Sequence, residues 1–506
     1  MTTVTSAAVA GRTLERERSW IAGRHRLLLY YVALLVSVAN WVVAIRAPLW
    51  LDETGSYWQI SGSAHDVWAR RIETIAFPSY GYLLWLWAKL FGTGEVTLRL
   101  LSLFAMLAAL VLFICAVRYV VDTETSIAAG VLLAVHPAIS FAAIDVRPYA
   151  WAALATSAAL YLLFRYRRNA QAWPMVCVGL LAAAVVSFQY LFAVLAVPLL
   201  LCLIVLHEGD RSVLRKKIVI ASAAFVAGCA PMVPGILDLF QTSGTHVFEE
   251  VPPLWTLLLQ IAPFWIGLTF VLLFCATRAA RVPSPISPPE DGTVWAIALS
   301  LGLVPLLVFF AISRFTQIHL FTPRHCLIAA PGCALAWALV VRRLFGSRMR
   351  LLFYLLLVSL VALMHLGLKQ SRQHSYTWKY ALAVADGIAA GRNESLLICS
   401  DFPEADFAPM PLVKAKTSKL YAPLSYYHVA ADVVPFPRSL TPAAIQEGRD
   451  FLEQAKNAHR SFVALGYLHS FDTLNWLQAN SGSSYVAHYV GDFDGVRVIE
   501  FTYQPR

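Results

Sequence analysis

The feature that most constrains this fold is a series of apolar segments of about 20 residues, the length that a helix needs to cross a bilayer. These segments recur as far as Lys369 and are separated by short basic clusters. The chain has 506 residues, of which 58% are hydrophobic and only 14% are charged. Soluble proteins have about 25% charged residues, so the sequence predicts a polytopic α-helical membrane protein.

The formal net charge of +10 does not indicate nucleic-acid binding, because the basic residues lie in the loops between apolar segments, as cytoplasmic loops of membrane proteins do. Residues 1–26 form an arginine-rich tail that we expect in the cytoplasm. No cleavage site follows the first apolar segment, which we interpret as an uncleaved anchor. The 8 cysteines include no CxxC pair, so neither a zinc site nor a disulfide framework is predicted.

We predict about 11 transmembrane helices within a catalytic region of residues 27–370. Residues 46–97 form a large first external loop. The segment 79–91 within it, between Pro78 and Gly92, is too short to cross and is predicted to be an interfacial helix. The predicted spans are 27–45, 98–120, 125–144, 149–164, 173–188, 190–207, 218–237, 255–277, 293–313, 325–341 and 351–369.

The composition becomes mixed in residues 371–506, which predicts an external α/β domain. It contains neither a GxGxxG sequence nor a P-loop, so no nucleotide site is predicted. The predicted strands are 395–399, 462–465, 485–490 and 496–501, and the predicted helices are 442–456 and 471–478.

Two adjacent carboxylates, Asp52 and Glu53, follow the first apolar segment. Because a basic tail precedes that segment, both are predicted on the outer face of the membrane. In one interpretation Asp52 caps a juxtamembrane helix that has Glu53 in its first turn. In the other, Asp52 is a general base that accepts the proton of an attacking hydroxyl group.

A second polar element is Asp145-Val146-Arg147-Pro148-Tyr149. The helix that starts near Thr125 needs about 20 residues to cross, which brings Asp145 to the same outer face. Charged residues at the end of an otherwise uncharged span are costly unless they pair or have a function. The element is therefore either an Asp145–Arg147 ion pair that caps a helix or part of a functional site.

Arg324 precedes another predicted span, in Phe321-Thr322-Pro323-Arg324-His325. It is either an anchor in the headgroup region or a ligand of a lipid phosphate, because a guanidinium group matches two phosphate oxygens. Lys89 and Arg99 border the same face and are further candidates. The histidines on this face lack metal-site spacing and are interpreted as structural.

All these charged groups are predicted on one side of the membrane, whereas the spans are nearly free of internal charge. This distribution predicts chemistry at the outer interface on a substrate that the bilayer presents. A transporter or flippase of lipid-linked sugars would place polar groups at the midplane and have internal repeats. The sequence has neither feature.

In order and spacing, these motifs resemble the GT-C membrane glycosyltransferases that use polyprenyl-phosphate sugars. The branch is the bacterial one related to protein O-mannosyltransferases and to the lipid A aminoarabinose transferase. The resemblance covers about residues 27–340. It rests on Leu51-Asp52-Glu53, Leu90-Phe91-Gly92, Leu98-Arg99-Leu100, Asp145-Val146-Arg147-Pro148-Tyr149-Ala150 and Pro323-Arg324-His325 ahead of Pro331.

The resemblance implies an inverting transfer of a sugar from a polyprenyl-phosphate donor to an extracytoplasmic acceptor: lipid A core, another lipid, a glycan or a protein. Asp52 would be the base, and Asp145 would orient donor or acceptor. Arg147 and Arg324 would hold the departing lipid phosphate. The other substrate contacts would come from Glu53, Tyr149, Lys89 and Arg99. A bacterial inner-membrane location follows, with the N-terminus cytoplasmic and the C-terminal domain periplasmic.

One departure concerns the start of the interfacial helix, where relatives commonly have His-Pro-Pro-Leu-Tyr or Lys-Pro-Pro. This chain has Ala76-Phe77-Pro78-Ser79-Tyr80, without a basic residue. Either another cation such as Lys89 substitutes, or the donor headgroup differs, or the chain is a scaffold that has lost activity. No cofactor is required and a divalent metal is not indicated, although Asp52 and Asp145 could share one.

Overall fold

The computed structural model describes residues 24–71, 78–167, 171–207, 209–242, 251–281, 292–316, 318, 320–367, 378–400, 402, 418–436, 439–467 and 470–505. Most of the basic N-terminal tail and the Ala76-Phe77 position lie outside the described residues.

Apolar helices form the larger part of the molecule. In the part of the chain that the structure describes, a bent pair, Leu254–Ile261 and Phe264–Ala279, is a seventh candidate span beside six long ones. The predicted polytopic helical class is confirmed, whereas the predicted number of about 11 spans is not. The six long apolar helices are Arg24–Ala44, Glu95–Val117, Arg211–Leu237, Gly292–Phe315, Cys326–Leu344 and Ser347–His365, and the shorter ones are Thr123–Ala134, Trp173–Phe188 and Tyr190–Val205.

Two predicted spans are interrupted by proline. The predicted span 125–144 consists of the helix Thr123–Ala134 and a second, short helix, Pro137–Ala142. In the predicted span 255–277, Pro263 separates two helices whose axes differ in direction by 73°. Proline has no N–H to continue the helical hydrogen bonds, so the helix is broken at both positions.

Three short helices follow the first long helix at one end of the bundle: Leu51–Ile60, Ala64–Ala69 and Ser79–Phe91. The third coincides with the predicted interfacial helix. It ends at Gly92, whose φ of 93° favours glycine. At the same end the helix Tyr149–Arg165 begins, and it packs against Glu95–Val117 and Trp173–Phe188.

The C-terminal part has the predicted α/β fold, with a five-stranded sheet. The strands are β1 Ser395–Cys399, β2 Asp432–Phe436, β3 Phe462–Tyr467, β4 Tyr485–Phe493 and β5 Val496–Tyr503, and the main helices are Lys379–Arg392, Pro442–Asn457 and Phe471–Asn480. The strand order is β2-β1-β3-β5-β4. Strand β1 pairs in parallel with β2 and β3, and β5 pairs antiparallel with β3 and β4.

The sequence did not predict β2. This strand contains Pro435, which cannot donate a ladder hydrogen bond and argues against a strand within a sheet. In the structure β2 is an edge strand that pairs only with β1, so Pro435 is tolerated there.

The two parts of the molecule share a hydrophobic core at the helix Leu51–Ile60. Leu51 and Trp58 of this helix pack in one cluster with Trp378, Tyr421 and Leu396 of the C-terminal domain. The helix that carries Asp52 therefore lies between the membrane bundle and the sheet domain.

Candidate active site

The turn between the first long helix and the helix Leu51–Ile60 places the two adjacent carboxylates in different surroundings. Trp50 occupies the N-cap position, and its N–H donates to Glu53 Oε2 over 3.2 Å. Glu53, and not Asp52, therefore satisfies the free N–H at the start of the helix. Because successive side chains are about 100° apart around a helix, Asp52 points away from Glu53 and is partly exposed.

Glu53 forms a fully buried ion pair with Arg99, whose Nε donates to Glu53 Oε1 over 2.9 Å. The N–H of Val146 also donates to Glu53 Oε1, over 3.0 Å. Both charged side chains have 0% exposure, so a substrate does not reach either of them in this structure. The remaining N–H groups of Arg99 donate to the carbonyl groups of Ile45, Ala47 and Pro48.

Asp52 pairs with Arg324, which lies 272 residues later in the chain. Nη1 of Arg324 is 3.0 Å from Oδ2 of Asp52, and the two side chains are 38% and 20% exposed, respectively. Arg324 belongs to the turn that precedes the helix Cys326–Leu344. The structure thus brings together the predicted base and one predicted phosphate ligand at a surface that a substrate can reach.

Asp145 lies beneath this pair and is fully buried. Its Oδ1 accepts a 3.0 Å hydrogen bond from Nε1 of Trp50, while its Oδ2 has no hydrogen-bond partner. Burial and the nearby Glu53 carboxylate raise the pKa of Asp145 well above its ordinary value. The charge of Asp52 also raises the pKa of Asp145, so the two predicted acidic residues interact electrostatically.

Arg147 does not form the ion pair with Asp145 that one interpretation of the sequence proposed; no such pair occurs among the described residues. Burial lowers the pKa of Arg147, but the charge of Asp52 outweighs it together with those of Tyr149 and Asp145, so the pKa is raised and the guanidinium stays charged. Nε of Arg147 is buried without a partner.

His325 follows Arg324 and is a neutral neighbour of the site. Its Nδ1 lies 2.9 Å from the carbonyl oxygen of Leu320. Burial, followed by the charge of Arg324, lowers the pKa of His325 to about 3. The imidazole is therefore uncharged at neutral pH, which agrees with the structural role expected for it.

Lys89 does not join the site. It is an exposed residue in the last turn of the helix Ser79–Phe91, and its Nζ lies 5.9 Å from the centre of the Trp85 ring. No hydrogen bond or ion pair connects it to Asp52 or Asp145 in the described part of the chain. The structure therefore gives no support to Lys89 as the cation that replaces the missing basic residue.

Two site residues were not predicted from the sequence, Trp50 and Tyr80. Trp50 holds Asp145 through its indole N–H. Tyr80 is 5% exposed, its hydroxyl group has no hydrogen-bond partner, and the charges of Asp145 and Arg147 both act on it. Its place in the first turn of the predicted interfacial helix was the available signal, because the predicted external loop meets the bundle there.

The arrangement suits the transfer of a group that leaves with a phosphate. A partly exposed carboxylate can accept a proton, and two guanidinium groups beside it match the charge and geometry of phosphate oxygens. The described residues contain no group of three or more histidine, cysteine, aspartate or glutamate residues arranged to hold a metal ion.

Comparisons with known proteins identify what this fold is similar to. Residues 76–234 match the family model described as dolichyl-phosphate-mannose-protein mannosyltransferase. ArnT from Cupriavidus metallidurans has the same fold at 14% identity: its structure in the apo state gives a TM-score of 0.53 over 96% of this chain and 98% of that chain. The ArnT structure bound to undecaprenyl phosphate gives a TM-score of 0.52 over 95% of this chain and 98% of that chain.

The archaeal oligosaccharyltransferase AglB from Archaeoglobus fulgidus, in complex with an inhibitory peptide and a dolichol-phosphate, is 13% identical. It gives a TM-score of 0.45 over 96% of this chain and 75% of that chain. No curated protein sequence matches the chain. The resemblance to GT-C enzymes is confirmed by the family model and by the fold shared with ArnT.

The buried pair predicts a loss of stability when Arg99 is removed. The change Arg99→Met leaves the Glu53 carboxylate buried and unpaired, which costs about 3–5 kcal/mol. We expect the Tm of the purified protein in detergent to fall by about 5 °C or more. Arg392→Met is the control, because Arg392 pairs with Glu500 at the surface. An unchanged Tm for Arg99→Met would contradict the structural role of Arg99 and would favour the role in substrate contact that the sequence predicted.

Proposed function

We propose that this protein is a membrane glycosyltransferase that moves a sugar from a polyprenyl-phosphate donor to an extracytoplasmic acceptor. The observation that carries the proposal is the Asp52–Arg324 pair, with Arg147 beside it, at a partly exposed surface. The family model and the ArnT structure bound to undecaprenyl phosphate support the same class of donor.

In the proposed reaction, a hydroxyl group of the acceptor attacks the anomeric carbon of the donor sugar. Asp52 accepts the hydroxyl proton as the new carbon–oxygen bond forms, and the bond to the phosphate oxygen breaks with inversion at that carbon. Arg324 orients Asp52 before the donor binds. Arg147 and Arg324 then hold the polyprenyl phosphate as its negative charge develops, which is the largest contribution expected of such a site.

The charge balance of the site favours a negatively charged ligand. Arg99 neutralises Glu53, and Arg324 neutralises Asp52. The raised pKa of Asp145 favours its neutral form, in which case the charge of Arg147 is not balanced by a carboxylate. A phosphate group would supply the missing negative charge and accept a hydrogen bond from the unpartnered Nε of Arg147.

An apolar cavity within the bundle suits the hydrocarbon part of the donor. It has a volume of about 210 Å³ and is lined mainly by the helices Gly292–Phe315 and Cys326–Leu344. Trp295, Leu303 and Trp337 contribute to its wall. The second of these helices begins two residues after Arg324, so a lipid phosphate at Arg324 can direct its chain toward this cavity.

The proposed orientation follows from the ends of the helices. Tyr149–Arg165 and Ala330–Leu344 both begin at the site and end in basic residues, Arg165 and the pair Arg342-Arg343. Positive residues favour the cytoplasmic side, which supports an extracytoplasmic position of the active site and the C-terminal domain at a bacterial inner membrane.

The first prediction of this function concerns the base. We expect Asp52→Asn to lower sugar transfer at least about a hundredfold, within the range of general-base catalysis. Transfer of radiolabelled sugar from polyprenyl-phosphate donors is measured in membranes with equal amounts of each variant. Asp66→Asn is the control, because Asp66 is also a first-turn carboxylate of an external helix.

An active Asp52→Asn variant would show that Asp52 does not act as the base. A wild-type protein that transfers no sugar from any donor would favour the two alternatives, a flippase for lipid-linked sugars or an inactive scaffold.

The second prediction concerns the phosphate ligands. A lost hydrogen bond to a charged group costs about 1.5–3 kcal/mol, so Arg147→Gln and Arg324→Gln should each lower kcat/KM for the donor about tenfold to a hundredfold. Steady-state kinetics over a range of donor concentrations measures the effect. Arg314→Gln, which changes an exposed arginine at the same end of the bundle, should retain wild-type kinetics. Equal kinetics for all three variants would rule out the proposed phosphate site.

The third prediction concerns metal ions. In the proposed reaction two guanidinium groups supply the positive charge that a divalent cation would otherwise provide. We therefore expect transfer to stay within about twofold of its initial rate after treatment with excess EDTA. Loss of activity with EDTA, and its recovery on addition of Mg²⁺ or Mn²⁺, would instead show that a metal takes part.

A further inference from the structure

Tyr427 of the C-terminal domain contacts the turn that precedes Asp52. The N–H of Leu49 donates to the Tyr427 hydroxyl oxygen over 2.8 Å. The same hydroxyl group lies 3.3 Å from Oε1 of Glu95, to which it can donate its proton. One side chain of the C-terminal domain therefore bonds both to the turn before the proposed base and to a residue at the start of the Arg99 helix.

Glu95 connects this contact to the buried ion pair. It is the first residue of the helix Glu95–Val117, and Arg99 lies one turn later on the same helix. Lys379 of the C-terminal domain forms a 3.0 Å ion pair with Glu95 Oε1. The hydroxyl group of Tyr426 donates to the carbonyl oxygen of Thr93 over 3.0 Å. The C-terminal domain thus holds the beginning of the helix that supplies Arg99.

Three side chains form hydrogen bonds with the backbone of the turn. Arg99 bonds the carbonyl groups of Ile45, Ala47 and Pro48, Glu53 bonds the N–H of Trp50, and Tyr427 bonds the N–H of Leu49. Pro48 has no N–H to satisfy. Without Tyr427, the residue three positions before Asp52 loses its hydrogen bond.

We propose that the C-terminal domain is a working part of the active site and that Tyr427 is a positioning residue for Asp52. This inference rests on the proposed function of Asp52 as the base. Catalytic groups have to be held within about 0.5 Å of their productive geometry, and an error of about 1 Å can lower a rate a hundredfold. The Tyr427 hydroxyl group limits the movement of the turn, and the helix that carries Asp52 follows directly from it.

The test compares Tyr427→Phe with Tyr485→Phe in the full-length protein. Each change removes one tyrosine hydroxyl group of the C-terminal domain. The Tyr485 hydroxyl group donates to the carbonyl oxygen of Arg460 within the same domain and does not contact the Asp52 helix. We expect Tyr427→Phe to lower kcat about tenfold while KM for donor and acceptor stays within twofold. Tyr485→Phe should keep the wild-type kcat.

A second measurement does not depend on activity. Hydrogen exchange followed by mass spectrometry reports the protection of a peptide that includes the Leu49 amide. We expect about tenfold faster exchange of this amide in Tyr427→Phe and no change in Tyr485→Phe.

The two measurements separate the explanations. Unchanged exchange at Leu49 would overturn the inference, whatever the activity. Faster exchange with a wild-type kcat would show that Tyr427 holds the turn without positioning the base, and it would also overturn the inference. A wild-type protein that transfers no sugar would overturn the proposed function and the positioning role with it, while the exchange data would still decide whether the domain holds the turn.

Discussion

The ion pair between Glu53 and Arg99 is the interaction on which the rest of the site depends. Two fully buried charges are costly to remove from water, and they are tolerated only when hydrogen bonds satisfy their remaining atoms. Here the backbone supplies those bonds from the turn before Asp52 and from the N–H of Val146. The pair therefore joins the turn before Asp52, the Arg99 helix and the loop of Asp145 and Arg147 at one point.

Sequence neighbours of this pair supply the groups proposed for chemistry. Asp52 precedes Glu53, and Asp145 and Arg147 flank Val146. Because neighbouring side chains on a helix point in different directions, the burial of Glu53 leaves Asp52 partly exposed, and the charge of Asp52 acts on Arg147. The buried contacts set the separation of the reactive groups, which helps to explain how loops at the end of a helical bundle can hold a defined geometry.

The sequence predicted most helices and the C-terminal α/β fold, because apolar length and side-chain periodicity are local signals. It predicted that Asp52, Asp145 and Arg324 share one side of the membrane. It could not predict which of these charged residues pair, because residues on the same side of the membrane can still lie far apart. Arg324 bonds Asp52 although 272 positions separate them in the sequence. Tyr80 was missed because an aromatic residue in an interfacial helix is ordinarily interpreted as packing.

Burial, which is not visible in a motif, separates residues that the resemblance groups together. Arg99 and Arg324 both lie near the starts of helices, yet their side chains are 0% and 38% exposed. A substrate phosphate can compete with Asp52 for Arg324 at the surface, but it cannot displace Glu53 from Arg99 without breaking the backbone contacts of the turn. The buried guanidinium group of Arg99 thus stabilises the fold, whereas the partly exposed guanidinium group of Arg324 is available to a ligand.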